Sequence, residues 1–217
     1  MKIRCLVVVL LLLSGHAAAA GKTKLDRLLS ADMIGLQRAY FEKIAGVAKR
    51  ISDKHRQYDV GGCLITMVED NNKSILSIEL ENISARCTFD AANIFMDGPA
   101  HKLTFAKLHS VSIGGGAKEA CLGLCGNAAP PIYGLTVQTP HAMTFIQYDA
   151  EVGDTNASVQ ASERLRQQLE KRFPGVDLVG DYVGTSIPAN VYTEMWLKEF
   201  QHVRITSIRF GYHILNE

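Results

Sequence analysis

Cysteine is the residue type whose number and spacing in this chain most directly suggest chemistry. The 217 residues include five cysteines, of which Cys5 lies in an apolar N-terminal run. The other four are Cys63, Cys87, Cys121 and Cys125. An even number of cysteines in an oxidising compartment predicts two disulfides, although four cysteines allow three connectivities. Proximity along the chain favours the pairs Cys63–Cys87 and Cys121–Cys125.

A zinc site is the alternative for these cysteines, with His101 or His109 as further ligands. The spacing disfavours it, because the chain lacks the paired C-x-x-C elements that many structural zinc sites use. A redox-active pair is disfavoured as well, since Cys121 and Cys125 are separated by three residues rather than two. We therefore predict no metal site.

Two short segments resemble ligand-binding loops only in part. Residues 114–118, Gly-Gly-Gly-Ala-Lys, are similar to a phosphate-binding loop but lack its G-x-x-x-x-G-K-[ST] spacing, so a flexible break is favoured. Residues 70–72, Asp-Asn-Asn, could contact a cation. Because no glutamate follows at the spacing of a calcium loop, we interpret this segment as a polar turn.

The histidines show no catalytic pattern. The six that follow the N-terminal run are scattered in sequence, at His55, His101, His109, His141, His202 and His213. His141 with Asp149 or Asp154 could form a pair of base and orienting acid, but no G-x-S-x-G, H-E-x-x-H or G-x-G-x-x-G motif supports one. The sequence predicts no catalytic residue and no cofactor.

The composition is that of a folded domain with little net charge. The chain has 23 Lys+Arg and 22 Asp+Glu, with 47% apolar and 21% charged residues. This apolar fraction is enough for a core. A formal net charge of +1 argues against electrostatic binding of nucleic acid, which needs a basic face.

The N-terminus has the order of a secretory signal peptide. Lys2 and Arg4 precede the apolar residues 5–13, and residues 17–20 are all alanine. The apolar run is shorter than the roughly 20 residues of a permanent membrane anchor. Cleavage near Ala20 removes two basic and no acidic residues, which changes the net charge from +1 to −1. No second apolar run could serve as a stable anchor, and no cysteine stands at the cleavage point for lipidation. We expect a soluble protein in the bacterial periplasm.

Hydrophobic periodicity predicts an α+β fold with helices packed on antiparallel sheet. In the first half, Leu36, Tyr40 and Ile44 form the apolar stripe of a helix that ends near Gly46, and Gly61-Gly62 predicts a hairpin. The predicted elements there are a helical turn at 23–31 and strands at 56–60, 63–68 and 74–80.

The second half repeats this coarse order. The predicted elements are a short helix at 103–108, strands at 132–137 and 144–152, helices at 157–172 and 191–200, and a terminal strand at 203–215. The repeated order suggests two tandem helix-plus-meander modules. The domain prediction is a signal peptide at 1–20, a first module at 21–100 and a second module at 101–217.

Two resemblances follow from particular stretches. Residues 34–46, Tyr58 and the Gly61-Gly62-Cys63 hairpin resemble BamE-type (SmpA/OmlA) assembly proteins and one half of the beta-lactamase inhibitor protein, in which two such modules lie in tandem. Residues 102–152 would be the second copy. The absence of a lipidated cysteine departs from BamE-type proteins, so outer-membrane tethering is not carried over.

The second resemblance is to a family of exported bacterial proteins of unassigned function. It is carried by Gly62-Cys63, by Cys-Thr-Phe-Asp at 87–90 and by Cys-Leu-Gly-Leu-Cys-Gly-Asn-Ala-Ala at 121–129. This resemblance implies export but no activity and no site residues.

Two functions remain open at this point. The first is a binding protein that engages a cell-envelope protein, as an inhibitor, an immunity protein or an assembly factor. Its recognition loops would be residues 114–131 and 176–190, which are rich in Gly and Pro. The second is a periplasmic hydrolase without a recognisable motif. An exposed apolar patch favours the first, and a cleft with perturbed His, Asp or Glu side chains favours the second.

Overall fold

The computed structural model describes residues 22–118, 122, 131, 133–139, 146–176, 178, 187–212 and 214. The α-helices are α1 (Lys24–Leu28), α2 (Arg38–Ala45), α3 (Phe105–Ser110), α4 (Asn156–Arg172) and α5 (Ala189–Phe200). The strands are β1 (Arg50–Ser52), β2 (His55–Val60), β3 (Cys63–Glu69), β4 (Ile75–Leu80), β5 (Gly114–Ala117), β6 (Tyr133–Gln138), β7 (Gln147–Val152) and β8 (Ser207–Gly211). Short 3₁₀ helices cover Ala31–Met33, Ala91–Ile94 and Ala100–Lys102.

The eight strands form one antiparallel sheet in the order β1-β2-β3-β4-β8-β7-β6-β5. The C-terminal strand β8 lies in the middle, where Phe210 pairs with Ile78 of β4 on one side and with Tyr148 of β7 on the other. With helices packed on this sheet, the α+β class is confirmed. The division into two modules stays a prediction.

The hairpin between β2 and β3 forms where the two glycines predict it. Val60 pairs with Cys63, and Gly61 and Gly62 form the turn between them with φ of +65° and +86°. A two-residue turn with two positive φ angles matches the twist of the flanking strands, and glycine adopts such angles without a Cβ clash.

The flexible break expected at 114–116 is wrong, because these glycines belong to the edge strand β5. Gly115 pairs with Val137 of β6 and has a φ of +133°. A Cβ atom at Gly115 would overlap the backbone of Thr136, so glycine is required by close approach of the two strands. The outer edge of β5 is held too, since the Ala117 N–H donates to Thr193 Oγ1 on α5 at 3.1 Å.

The two faces of the sheet differ in chemistry. Directly paired residues share a face, and successive residues alternate between faces. The helix-covered face carries buried apolar side chains from the five central strands: Ile65, Met67, Ile78, Leu80, Ile208, Phe210, Tyr148, Ala150, Leu135 and Val137. The opposite face, here called the polar face, carries Glu79, Arg209, Asp149 and Thr136 in one paired row.

Helices α4 and α5 cover one end of the apolar face. Thr155 caps α4, with the Ser158 N–H donating to Thr155 Oγ1 at 3.1 Å. On α5, Trp196 stacks on Phe200 with ring centroids 4.4 Å apart and meets Phe105 of α3 edge-on at 4.8 Å. These rings are fully buried, and the Phe200 ring also packs on Tyr133 of β6 at 5.0 Å, so they join α3 and α5 to the sheet.

Helix α2 forms as predicted, but its buried stripe differs from the expected one. Phe41 and Ile44 are buried, and the Phe41 ring packs on Tyr58 of β2 at 5.0 Å. Leu36 precedes the helix and is 39% exposed, and Tyr40 is 49% exposed. Because adjacent helical residues lie about 100° apart, the packing of Phe41 on the sheet turns Tyr40 outward.

One of the two expected disulfides lies in the described residues. Cys63 and Cys87 are at disulfide distance, with Cα atoms 5.4 Å apart and 24 residues of separation. The bond links the start of β3 to the segment that follows β4. Cys121 and Cys125 lie outside the described residues, so their pairing stays a prediction.

Candidate functional site

The described residues that were proposed for a zinc site have other partners, and Cys121 and Cys125 lie outside the described residues. The sulfurs of Cys63 and Cys87 bond each other and are not available as thiolate ligands. His101 Nδ1 lies 3.0 Å from Thr88 Oγ1, and the His109 ring contacts Ser112. Within the described ranges, no three His, Cys, Asp or Glu side chains form a cluster that could hold a metal ion.

The Asp-Asn-Asn segment is a turn, as interpreted from the sequence. Asp70 Oδ1 accepts hydrogen bonds from the N–H groups of Asn72 and Ser74, each at 2.8 Å. A carboxylate oxygen that accepts hydrogen bonds from two backbone N–H groups stabilises the turn. Because its lone pairs are already engaged, it is less able to coordinate a cation.

One group of charges in the described residues lies on the polar face. Lys118 Nζ is 2.6 Å from Asp149 Oδ2 and also donates to Glu151, while Arg209 lies 3.7 Å from Asp149. Burial disfavours the charged form of Lys118, but the hydrogen bonds to its two carboxylates outweigh burial and raise its pKa. A lysine engaged in this way is not a phosphate-loop lysine.

Glu79 is the strongest acid–base candidate on this face. Its carboxylate accepts a hydrogen bond from Ser207 Oγ at 3.0 Å. Burial raises the pKa of Glu79, the hydrogen bond from Ser207 opposes that rise, and the negative charge of Glu81 adds to it. The sequence offered one signal for this residue: a glutamate within the apolar strand at 74–80. His141, proposed as a base beside Asp149, lies outside the described residues.

A second charge network lies under α2 and joins the helix to the sheet. Glu69 on β3 accepts hydrogen bonds from Arg38 of α2 at 3.0 Å and from Arg56 of β2 at 2.9 Å. The Glu69 side chain is only 7% exposed. Because both guanidiniums donate hydrogen bonds to the same buried carboxylate, we assign this network a structural role rather than a role in ligand binding.

Exposed apolar side chains concentrate in one stretch of the chain. The described large hydrophobic residues with marked exposure are Leu36, Tyr40, Val47, Ile51, Phe95, Ile113 and Val159. Four of these seven fall between residues 36 and 51, one just before α2, one on α2, one on the connection after it and one on β1. We name Leu36, Tyr40, Val47 and Ile51 the α2–β1 surface. Leu36 and Tyr40 also line a groove of about 180 Å³ between α1 and α2.

This stretch is also basic. Residues 36–51 contain four basic side chains and one acidic one. Arg38 bonds Glu69, and Lys49 bonds Asp59. In the described part of the chain, Lys43 and Arg50 have no carboxylate within ion-pair distance. The α2–β1 surface therefore combines apolar side chains with uncompensated positive charge.

Comparison with known proteins gives no relative from which a function could be transferred. No family model, curated protein or solved structure matches the chain. The described helices include none that is both long and apolar enough to cross a membrane.

The loops predicted to carry recognition cannot be compared with this surface. Residues 119–121, 123–130, 177 and 179–186, which make up most of them, lie outside the described residues. Sequence analysis did not single out the α2–β1 surface, although the excess of basic residues at 36–51 was a signal for it.

Proposed function

We propose that the protein is an exported, non-catalytic binding protein of the periplasm that engages an acidic cell-envelope protein through the α2–β1 surface. The observation that carries this proposal is the exposure of Leu36, Tyr40, Val47 and Ile51 within 16 residues. A contiguous apolar patch on a folded domain commonly marks an interaction site, and the proposal takes these four side chains to form such a patch.

The energetic case rests on Tyr40 and its neighbours. Tyr40 is 49% exposed and Ile51 is 60% exposed, so both would lose water-accessible apolar area in a complex. Tyrosine is enriched among the few interface residues that cost about 2 kcal/mol or more when truncated. The groove beside Leu36 and Tyr40 offers a recess for a side chain of the partner, and its lining also includes the charged residues Lys22, Asp26, Arg27 and Asp32.

The charge of the surface indicates the partner's chemistry. Lys43 and Arg50 would favour a partner with carboxylates around an apolar centre, because complementary charge speeds association and selects against wrong partners. The resemblance to BamE-type proteins and to the beta-lactamase inhibitor protein, both of which act by contact with other proteins, supports this class of function.

The location follows from the N-terminus and the cysteines. The signal sequence predicts export with cleavage near Ala20, and a disulfide between Cys63 and Cys87 is compatible with an oxidising compartment. N-terminal sequencing of the exported protein tests cleavage, and an intact Met1 on that protein would contradict it.

A matched set of variants tests the binding surface. Tyr40→Ser and Ile51→Ser should each reduce capture of the envelope partner from periplasmic extract by at least about tenfold, as expected for an interface anchor. Val159→Ser is the control, because Val159 is 47% exposed but lies on α4, outside the surface. Equal capture by all three variants would refute the surface, provided circular dichroism shows that each is folded.

A periplasmic hydrolase is the second candidate, and Glu79 is the observation that favours it. A half-buried carboxyl with a raised pKa and a hydroxyl partner is a feature of acid–base sites. If the purified protein hydrolyses a cell-wall, ester or peptide substrate and Glu79→Gln abolishes turnover without unfolding it, the binding proposal gives way to this one.

A further inference from the structure

Helices α4 and α5 enclose a groove that is separate from the α2–β1 surface. They run antiparallel and are joined at one end by Glu199, which accepts hydrogen bonds from Arg164 at 2.7 Å and Gln168 at 2.6 Å. Toward the C-terminus of α4 the helices leave a groove of about 670 Å³. The residues that line it are Gln168, Lys171, Arg172, Glu194, Met195 and Lys198.

The distribution of ion pairs on α4 leaves the basic residues of this groove uncompensated. Arg164 pairs with Glu199, and Arg166 pairs with Glu163 and Glu170. Those pairs use the carboxylates of Glu163, Glu170 and Glu199. Among the residues that the structure describes, Lys171, Arg172 and Lys198 have no ion-pair partner. Glu194 is the single acidic residue among the described residues of the lining, which together carry a net charge of +2.

The groove is also partly pre-organised. The guanidinium carbon of Arg172 lies 5.6 Å from the centre of the Phe173 ring, a cation–π contact that restricts its position. Met195 is buried and forms an apolar floor. Gln168 is held by its bond to Glu199. A ligand would therefore meet fixed groups beside two exposed lysines, and the fixed groups lower the entropy cost of binding.

We propose that this groove binds a phosphomonoester, with the phosphoryl group on Arg172 and Lys198 and the organic part over Met195. A phosphomonoester carries a charge of about −1.5 to −2 at neutral pH, which matches the charge of the groove. A guanidinium can donate two parallel hydrogen bonds to phosphoryl oxygens, and a lysine adds a point charge. A phosphodiester carries only one negative charge and is matched less well.

Nuclear magnetic resonance titration of the mature protein with glycerol phosphate, at constant ionic strength, tests the proposal. We expect shifts at the amides of residues 168–172 and 194–198. The double variant Arg172→Gln/Lys198→Gln should weaken binding by at least about tenfold, since hydrogen bonds between charged groups are the strong ones. The control Lys24→Gln/Lys102→Gln removes two exposed cations elsewhere and should change binding by less than about twofold.

Each remaining outcome decides against the proposal. Absence of shifts in the groove, or equal weakening by the two double variants, overturns the site. Vesicles of phosphatidylglycerol distinguish a lipid headgroup from a free monoester. If the protein binds these vesicles through Arg172 but does not respond to glycerol phosphate, the proposal of a phosphomonoester ligand is overturned. Circular dichroism of both double variants excludes unfolding as the cause of a loss.

Discussion

The substitution Glu69→Met tests whether the network under α2 stabilises the fold. The Glu69 side chain is 7% exposed, and its Oε1 atom lies 3.0 Å from Arg38 Nη1 and 2.9 Å from Arg56 Nη2. Methionine keeps the approximate volume of the side chain and removes both the charge and the carboxylate oxygens that accept from the two arginines. Both guanidiniums then remain with 21% and 14% of their side-chain surface exposed and without this carboxylate.

The expected cost is about 3 kcal/mol. Removing one member of a buried ion pair costs about 3–5 kcal/mol, because the partner is left desolvated and unpaired. Arg38 and Arg56 can reach water in part, and Arg38 also lies 3.7 Å from Glu42, so the low end of that range applies. With a urea slope of about 2 kcal/mol per molar, the unfolding midpoint should fall by about 1.5 M.

Equilibrium unfolding of the mature, oxidised protein in urea measures this change. Glu163→Met is the matched control, since Glu163 forms an ion pair with Arg166 on the exposed face of α4 and should leave the midpoint unchanged. The double variant Glu69→Met/Arg56→Met should cost less than the sum of the single variants, because the pair no longer interacts. A midpoint for Glu69→Met equal to that of the control would refute the argument.

Three further predictions concern stability. Replacing Cys63 and Cys87 by serine should lower the free energy of unfolding by about 3 kcal/mol according to the loop-entropy model, as measured by urea unfolding. An unchanged unfolding midpoint would mean that the bond does not constrain the unfolded chain. Burial raises the pKa of Glu79, so the folded state loses stability as the pH rises through that pKa. Glu79→Gln should therefore raise the melting temperature at pH 7 but not at pH 3.5. Equal shifts of the melting temperature at the two pH values would contradict this. Gly211→Ala should strongly destabilise the sheet in thermal melts, because its Cβ would overlap backbone of β4, whereas Gly153→Ala, which has open space, should be tolerated.

The local elements could be predicted because their signals are local. Gly61-Gly62 determines the hairpin between β2 and β3 through backbone angles alone. Thr155 begins α4 through a capping box, and the apolar residues of α4 recur with helical spacing. In each case the residues that determine the structure lie within a few positions of one another, so a pattern in sequence is enough.

Elements that depend on distant partners were missed or misassigned. The strand β1 has only exposed residues and therefore no alternation of burial. The glycines of β5 are typical of a break, and only pairing with β6 gives them strand structure. The stripe assigned to α2 included Tyr40 because spacing alone does not show which row of a helix faces the sheet. Tertiary packing decided all three.

The polar-face cluster could not be predicted for a related reason. Lys118, Asp149 and Arg209 come from three separate stretches of the chain. Nothing in their own neighbourhoods connects them, and only the sheet order places their strands together. The same holds for Arg164 and Glu199, which close one end of the groove between α4 and α5.

The central position of β8 brings both the backbone pairing of the two halves of the sheet and the charged side chain of Arg209 to the centre of the sheet. Strands β4 and β7 both pair with β8 and not with each other, so residues 207–211 make the sheet hydrogen bonds that join residues 75–80 to residues 147–152. On the polar face, the same register places Arg209 between Glu79 and Asp149, each directly paired with it. The ion pair of Arg209 with Asp149 stabilises this pairing order, and a shift of one residue is penalised because it would turn Arg209 toward the apolar face. The arginine therefore specifies the register of the strand that completes the sheet.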